Sequence, residues 1–409
     1  MSTSALTTDS KSVQALEAEH ILQVYRRTPV VFERGEGARL FTGDGTAYLD
    51  FISGVGVASL GHGHPGLADA IAAQAHTLLH TSNLFFHPLQ AEVSTKLAAL
   101  TGLDRAFFCN SGAEAVEACL KFARRYWFTQ GQTTRTKFVA FTHAFHGRTM
   151  GALSVTWDDR YRAPFAPLVP NVVFTDTSDI AGFNALVDGT TAAIIVEPIQ
   201  GEGGVRPISK ELAAAIEAAC ARTGALLIVD EVQSGSGRTG AFLYSQTLGL
   251  TPDLIALGKA LGAGVPVGVA MFTNTVAAAA SPGDHGSTYG GNLLACRAAL
   301  VFLEALASPA LTASKAAASE RLFAGIRAMQ QRHPALIADV RGAGLIVGID
   351  LAFDAAPVVE AAFERGLLIN RTSATVVRLL PPYIITAADV DGALPLLEAA
   401  IVVGGGTGQ

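Results

Sequence analysis

Seven short runs of almost wholly apolar residues, at 106–109, 137–141, 172–174, 192–196, 226–229, 254–257 and 267–272, constrain this chain more than any other feature. Each has the length of a strand and none alternates polar with apolar, the pattern of strands covered on both faces. Between most of them lie segments with apolar residues at helical spacing, as in Val116, Leu120, Ala123 and Trp127, or Leu212, Ile216 and Cys220. This alternation predicts an α/β domain with helices on both faces of one mainly parallel sheet. Ligands of such sheets bind beyond the carboxyl ends of the strands.

After Gly291 the pattern turns helical, then strand-like again at 345–351 and 376–379. The chain is therefore read as an N-terminal segment (1–70) that joins a small domain, a large domain (71–309) and a C-terminal small domain (310–409). With 409 residues, half of them hydrophobic and 16% charged, there is enough apolar material for one large core and a smaller one. Residues 1–12 and the terminal GGGTGQ have little to bury and are expected to fray.

The formal net charge of -6, with no long basic run, gives no electrostatic footprint for nucleic acid or anionic lipid. A small, anionic metabolite is the better partner. No apolar stretch approaches the ~20 residues that span a bilayer, and no signal-peptide pattern opens the chain, so a cytoplasmic location is expected. Cys109, Cys119, Cys220 and Cys296 are scattered without a C-x-x-C pair and read as reduced core thiols.

The strand ends carry the chemistry. In FFCNSGAEA, Ser111 followed three residues later by Glu114 is a capping-box pattern between a strand and an amphipathic helix. The amides of Gly112 and Ala113 then sit at the positive end of a helix, open to a phosphate. An ordinary helix cap is the alternative reading. In ALLIVDEVQ a buried strand ends in Asp230 and Glu231, and idle burial of an acid costs several kcal/mol. A magnesium-holding strand of a nucleotide triphosphatase has the same look, but G-x-x-x-x-G-K-[ST] occurs nowhere in the chain.

Gly235, Gly237 and Gly240 form GSGRTG, with Asp253 at about the distance of a dinucleotide fingerprint. Four residues separate it from its strand and no strong helix pattern follows, so a mobile glycine-rich loop is the better reading. His62 and His64 of GHGHP lack a third ligand, and no metal site is expected.

Lys259, in PDLIALGKALGAGVPVG, comes directly after an apolar strand with no acid near it in sequence. Surface lysines seldom interrupt so apolar a stretch, and a desolvated lysine is an amine nucleophile. Acid, lysine and phosphate-ready helix start together suggest pyridoxal 5'-phosphate: phosphate on the helix, ring nitrogen on the acid, aldehyde on the lysine.

The ordered motifs NSGAEA, AFHGRT, VEPIQGEGG, LLIVDEVQSGSGRTG, LGKALGAGVPVG and HGSTYGGN resemble the class III aminotransferases over residues 25–395. The stretches SNLF at 82–85 and RLLPP from Arg378 are most similar to the acetylornithine group of that family. The resemblance implies the aspartate-aminotransferase-like fold (PLP fold type I): a large domain with a mainly parallel seven-stranded sheet, and a smaller α+β domain. It also implies a homodimer with the site at the interface.

Residue by residue, it makes Lys259 the covalent attachment point and base, and Asp230, with Glu231 beside it, the partner of the ring nitrogen. Phe145 and Val232 enclose the ring, and Gln233 reaches its hydroxyl. Ser111, Gly112 and Ala113 hold the phosphate, with Thr288 of the second subunit. Ser287 lies near the substrate. Arg148 takes the carboxylate of the amino donor, and Arg378 the α-carboxylate of glutamate unless Glu202 pairs with it. The implied reaction is transamination between N2-acetylornithine and 2-oxoglutarate in arginine synthesis, by a ping-pong cycle through pyridoxamine phosphate. Ornithine, succinylornithine and 4-aminobutyrate are alternative donors, and a non-catalytic cofactor-binding protein is the alternative of another class.

Overall fold

The computed structural model describes residues 10–406. All seven apolar runs become strands of one sheet, in the spatial order Arg105–Cys109, Gly268–Phe272, Leu254–Leu257, Leu226–Asp230, Thr191–Val196, Lys137–Phe141 and Val172–Thr175. Gly268–Phe272 runs against both of its neighbours, and every other pairing is parallel. The aspartate-aminotransferase-like α/β architecture is thus present.

The runs are almost wholly apolar because each strand feeds two helix layers. Ile194, Val196, Leu227 and Val229 pack with Leu212 and Ile216 of the helix Lys210–Thr223. Their neighbours Ala193, Ile195, Leu226 and Ile228 pack with Val116, Leu120, Ala123 and Trp127 of the helix Gly112–Thr129, on the opposite face. The period of two along a strand makes this division. Both helices start on a serine whose hydroxyl caps a free amide: Ser111 accepts from Glu114 N and Ser209 from Leu212 N.

Two smaller sheets flank this one. Phe32–Glu36, Arg39–Thr42 and Ala47–Asp50 form an antiparallel set, and Leu367–Leu368 adds to its edge in parallel with Ala47–Asp50, so N-terminal and C-terminal segments share a sheet. The other contains Ile337–Ala343, Ile346–Leu351, Val376–Leu379 and Asn370–Arg371, all antiparallel. Its two central strands match the apolar runs expected at 345–351 and 376–379. Its edge strand Ile337–Ala343 exposes Ala338 and Asp339 and has no apolar run to betray it.

Two expectations need adjustment. Of the tails expected to fray, residues 1–9 and 407–409 lie outside the described residues. Ser10 instead opens the helix Ser10–His20, and the helix Ala387–Gly406 runs to Gly406 with Gly404 buried on Val358. The GSGRTG segment is not a mobile loop: residues 234–238 are buried. A Cβ on Gly235 would lie 2.6 Å from the Glu231 carbonyl oxygen, and one on Gly237 (φ +83°) 2.7 Å from Leu306, so the glycines are there for close packing. His62 and His64 are engaged in the fold. His62 Nε2 lies 2.8 Å from Asp50 Oδ2, and His64 Nδ1 accepts from Leu67 N to cap the helix Pro65–Thr77.

The cysteines are unpaired, three of them buried and Cys220 half-buried. Among the described residues, no single helix is long and apolar enough to cross a membrane.

Arg238, from the middle of the packed glycine segment, is 1% exposed and ties the flanking units to the large sheet. Its guanidinium donates to the carbonyls of Leu345 (3.2 Å), Pro381 (2.5 Å) and Gly56 (3.4 Å) and lies 4.5 Å from the centre of the Tyr383 ring. Hydrogen bonds from a charged group contribute about 1.5–3 kcal/mol each, and carbonyls stranded without water add to the loss. Arg238→Ala is expected to destabilise the protein by roughly 3 kcal/mol or more. Urea denaturation of the variant and its parent measures this, and an unchanged midpoint would show that the guanidinium does not bind these segments together.

Candidate active site

Because six of the seven strands run in one direction, their carboxyl ends share an edge, and Gly268 pairs with Cys109 so that the antiparallel strand begins there too. The residues that leave this edge enclose a cavity of about 270 Å³, lined by Gly112, Ala113, Phe145, Arg148, Asp230, Val232, Gln233 and Lys259, with His146, Gly147 and Glu197. Eight residues expected at the site are therefore brought together from four separate strand ends.

 Glu197, which follows Thr191–Val196, adds a fifth strand end to the wall.

Lys259 follows Leu254–Leu257 and adopts φ +44°, a left-handed conformation that is strained for a side-chain-bearing residue and is held by the turn Lys259–Gly262. Burial pulls its pKa below the ordinary lysine value. Glu202, Asp230 and Glu197 oppose that shift, and Arg378 adds to it. Its neighbour Gly258 lies against the start of the helix Gly112–Thr129: a Cβ there would be 3.3 Å from Gly112, and a Cβ on Gly112 would be 2.5 Å from Val232. Gly112 is thus required by the approach of Val232 as well as by open access to the helix start. The first turn of that helix leaves amides free of intrahelical partners.

Asp230 is 5% exposed. Its Oδ1 accepts from Val232 N (3.0 Å), and its Oδ2 lies 2.8 Å from His146 Nδ1. Phe145 donates its amide to Glu197 Oε1 (2.8 Å) and turns its ring edge toward Tyr161, 6.4 Å away. The Arg148 guanidinium stacks 3.6 Å from the centre of the Tyr161 ring.

Glu202 and Arg378 form an ion pair against Gln233 of the cavity wall and are not themselves part of its lining. Arg378, 1% exposed, donates to Glu202 Oε1 (2.5 Å), to Gln233 Oε1 (2.9 Å) and to the Gly201 carbonyl (3.2 Å). Burial raises the Glu202 carboxyl, but Arg378, Lys259 and the hydrogen bonds from Arg378 and Gln233 outweigh it and hold it below its ordinary value.

Four further expected residues do not line the cavity. Glu231 does not enter the cavity: successive residues of an extended chain point to opposite sides, and its carboxylate accepts from Ser234 Oγ (2.5 Å) and Ser245 N (2.7 Å). Ser287 Oγ accepts from Asn110 Nδ2 (3.2 Å) and from Gly290 N (3.0 Å), and Thr288 is exposed to solvent. Ser111 is at the helix start but its hydroxyl is engaged with Glu114, both accepting from its amide and donating to its carboxylate. Glu114 in turn accepts from Asn110 N (2.8 Å), so the expected capping box closes one residue earlier than its usual form.

His146 and Glu197 were not singled out from the sequence, although Glu197 is, like Asp230, an acid directly after an apolar strand.

The arrangement suits pyridoxal phosphate on its own chemistry: a shielded amine, a buried carboxylate, an aromatic and an aliphatic wall, and a helix start for the phosphate share one cavity. Comparison with known proteins agrees. The class-III aminotransferase family model matches residues 22–401, and the chain belongs to that family of pyridoxal-phosphate-dependent enzymes. More particularly, it is 45% identical over 381 residues to the acetylornithine aminotransferase of Archaeoglobus fulgidus, covering 93% of this chain and 98% of that one. It is 42% identical to that of Gloeobacter violaceus, covering 95% and 97%. Among solved structures, the ornithine aminotransferase of Toxoplasma gondii ME49 superposes with a TM-score of 0.91 at 32% identity, covering 96% of this chain and 95% of that one.

Burial pushes the Glu231 carboxyl up to about 7, against the hydrogen bonds from Ser234 and Ser245. A carboxyl raised in the fold contributes stability that is fully present below its unfolded pKa and is lost as pH rises through the folded value. Stability should therefore fall between about pH 4.5 and about pH 7, by up to about 1.4 kcal/mol per pH unit for this group. Glu231→Gln should flatten that slope in urea denaturation across the range. A slope equal to that of the parent would show that Glu231 ionises freely in the fold.

Proposed function

We propose that the chain transfers the terminal amino group of N2-acetylornithine to 2-oxoglutarate, giving N-acetylglutamate 5-semialdehyde and glutamate by a ping-pong cycle, as a homodimer in the cytoplasm. The observation that carries the site reading is the enclosure of Lys259 and Asp230 in one cavity with the start of the helix Gly112–Thr129. The identity to relatives named acetylornithine aminotransferase favours that donor over ornithine. Rates with acetylornithine, ornithine, succinylornithine and 4-aminobutyrate against one acceptor test the choice. We also read residues 71–309 as the cofactor-binding domain, with 1–70 and 310–409 forming the smaller one.

Pyridoxal phosphate, when bound, supplies an aldehyde that takes up the amino group and a ring that accepts electron density. In this reading Asp230 meets the ring nitrogen, and Phe145 and Val232 enclose the ring, with Gln233 at its edge. Gly112 and Ala113 present amides to the phosphate, Ser111 fixes the helix start that aims them, and Glu231 supports the strand end from behind. Lys259 anchors the cofactor and, once free, moves the proton beside the reacting nitrogen. Its lowered pKa leaves a larger fraction of the amine able to accept that proton near neutrality.

Arg148 is the seat for the donor carboxylate, since planar guanidinium pairs bidentately with it. Glutamate brings a second carboxylate, for which Arg378 is the partner once Glu202 yields. With a terminal-amine donor, Glu202 stays on Arg378. Support for a second subunit comes from Leu84, Phe85, Phe86 and Tyr289, which are 64–106% exposed and neighbour one another through the bonds of Asn83 to the carbonyls of Ser287 and Gly290. Thr288 and Ser287 lie on that surface and belong, in this reading, to the partner's phosphate and substrate.

Lys259→Ala should lose turnover and the covalent cofactor. Borohydride reduction followed by mass spectrometry should place the cofactor on Lys259 of the parent, and attachment at another lysine would sink the assignment.

Arg378→Ala combined with Glu202→Gln should slow the glutamate half-reaction by roughly ten- to a hundred-fold, the worth of a charge-assisted hydrogen bond, and leave the acetylornithine half-reaction nearly intact. The second change removes the carboxylate that the first would strand. Single-turnover rates of the two half-reactions decide, and equal losses in both would rule out the switch.

A further inference from the structure

Behind Asp230 the cavity wall holds two more ionisable groups that the mechanism above does not use. The His146 side chain is fully shielded from solvent, and its Nδ1 faces Asp230 Oδ2 at 2.8 Å. With Val232 N on Oδ1, both carboxylate oxygens are held, so the carboxylate cannot rotate. His146 itself is fixed by its amide, which donates to Thr156 Oγ1 (2.9 Å). Its Nε2 is buried and has no hydrogen-bond partner among the described residues.

Glu197 is 5% exposed and comes from the next strand over, since Leu226–Asp230 pairs with Thr191–Val196. Each of its oxygens accepts one backbone amide, Phe145 N on Oε1 (2.8 Å) and Gly201 N on Oε2 (3.2 Å). It therefore also pins Phe145, the residue before His146. The ionisable groups that face Glu197 are His146 and Asp230, with Lys259 across the cavity.

We propose that His146 and Glu197 are positioning residues for Asp230: His146 fixes the carboxylate through Nδ1, and Glu197 takes up or gives up one proton as the charge in the cavity changes. The inference rests on the reading of Asp230 as partner of a cationic ring nitrogen. Two carboxylates and one imidazole in a water-poor wall are hard to keep ionised together. Burial, and then the charge of Asp230, push Glu197 up to about 7 against the pull of His146. Positive charge arriving beside Asp230 offsets that repulsion and favours the Glu197 carboxylate. Loading the cofactor should then lower the pKa of Glu197 and release a proton near neutrality.

Infrared spectra of the apoprotein and holoenzyme, taken across about pH 5 to about pH 9 and compared with Glu197→Gln, isolate the carboxyl band of this residue. The expected result is a midpoint near 7 in the apoprotein, lower in the holoenzyme, and higher in apoprotein carrying His146→Asn. No titrating band removed by Glu197→Gln, or a midpoint that cofactor loading does not move, would overturn the proposal.

In kinetics, His146→Ala should lower kcat and kcat/KM together by roughly ten-fold or more, an interaction made in the transition state. His146→Asn should recover much of the loss, because its side-chain amide can donate from near the Nδ1 position. Circular dichroism confirms that each variant is folded. Unchanged kcat in His146→Ala with a slow Asp230→Asn would reject the positioning role and leave the functional reading standing. Unchanged kcat in Asp230→Asn would reject that reading instead, while the infrared midpoints still decide whether Glu197 responds to charge in the cavity.

Discussion

Removing an ammonium group from water is the constraint around which this protein is organised. Lys259 loses its hydration at the edge of the large sheet, and the field of its neighbours decides how much of it stays protonated. Glu202, Asp230 and Glu197 favour the charged form, while burial and Arg378 disfavour it. Each of those carboxylates is itself held: Asp230 by Val232 and His146, Glu197 by two backbone amides, Glu202 by Arg378 and Gln233. Asp230 and Glu197, each fixed through both oxygens, can lend their charge without moving, which is what an electrostatically organised site requires.

The fold delivers these groups through parallel pairing. Strands that run together end together, and the residue after each strand projects over the same edge. The fit is close enough that two glycines are needed in contact, since Gly258 beside Lys259 meets Gly112 at the start of the adjoining helix. That contact brings the lysine turn and the helix start into one wall. The left-handed φ of Lys259 is the local cost of aiming its side chain back over the sheet.

Legibility in the sequence followed the same physics. The seven strands of the large sheet were readable because burial on both faces leaves continuous apolar runs. The edge strand Ile337–Ala343 and the hairpin Phe32–Thr42 were not, because half-exposed strands mix charged residues into the pattern. Asp230 and Lys259 stood out as charges adjoining apolar runs, and Glu197 offered the same signal in AAIIVEP. His146 had no such mark, for a histidine beside a phenylalanine in a loop acquires meaning only when the fold sets it 2.8 Å from Asp230. Glu231 misled for the opposite reason, since sequence adjacency to Asp230 places it on the other side of the chain.

On the proposed function, the Arg378 and Glu202 pair lets one cavity accept donors of unequal charge. A buried guanidinium left without a partner is strongly unfavourable, so a donor with one carboxylate needs the protein to supply the second. In the proposed reading Glu202 does so, with its side chain 33% exposed against 1% for Arg378. In that reading the more exposed partner is the one that moves aside when glutamate brings its own carboxylate, and the arginine stays where Gln233 and Gly201 hold it. In this reading specificity toward the two half-reactions lies in the exchange of one carboxylate for another on a fixed arginine, with little change in the number of charges buried.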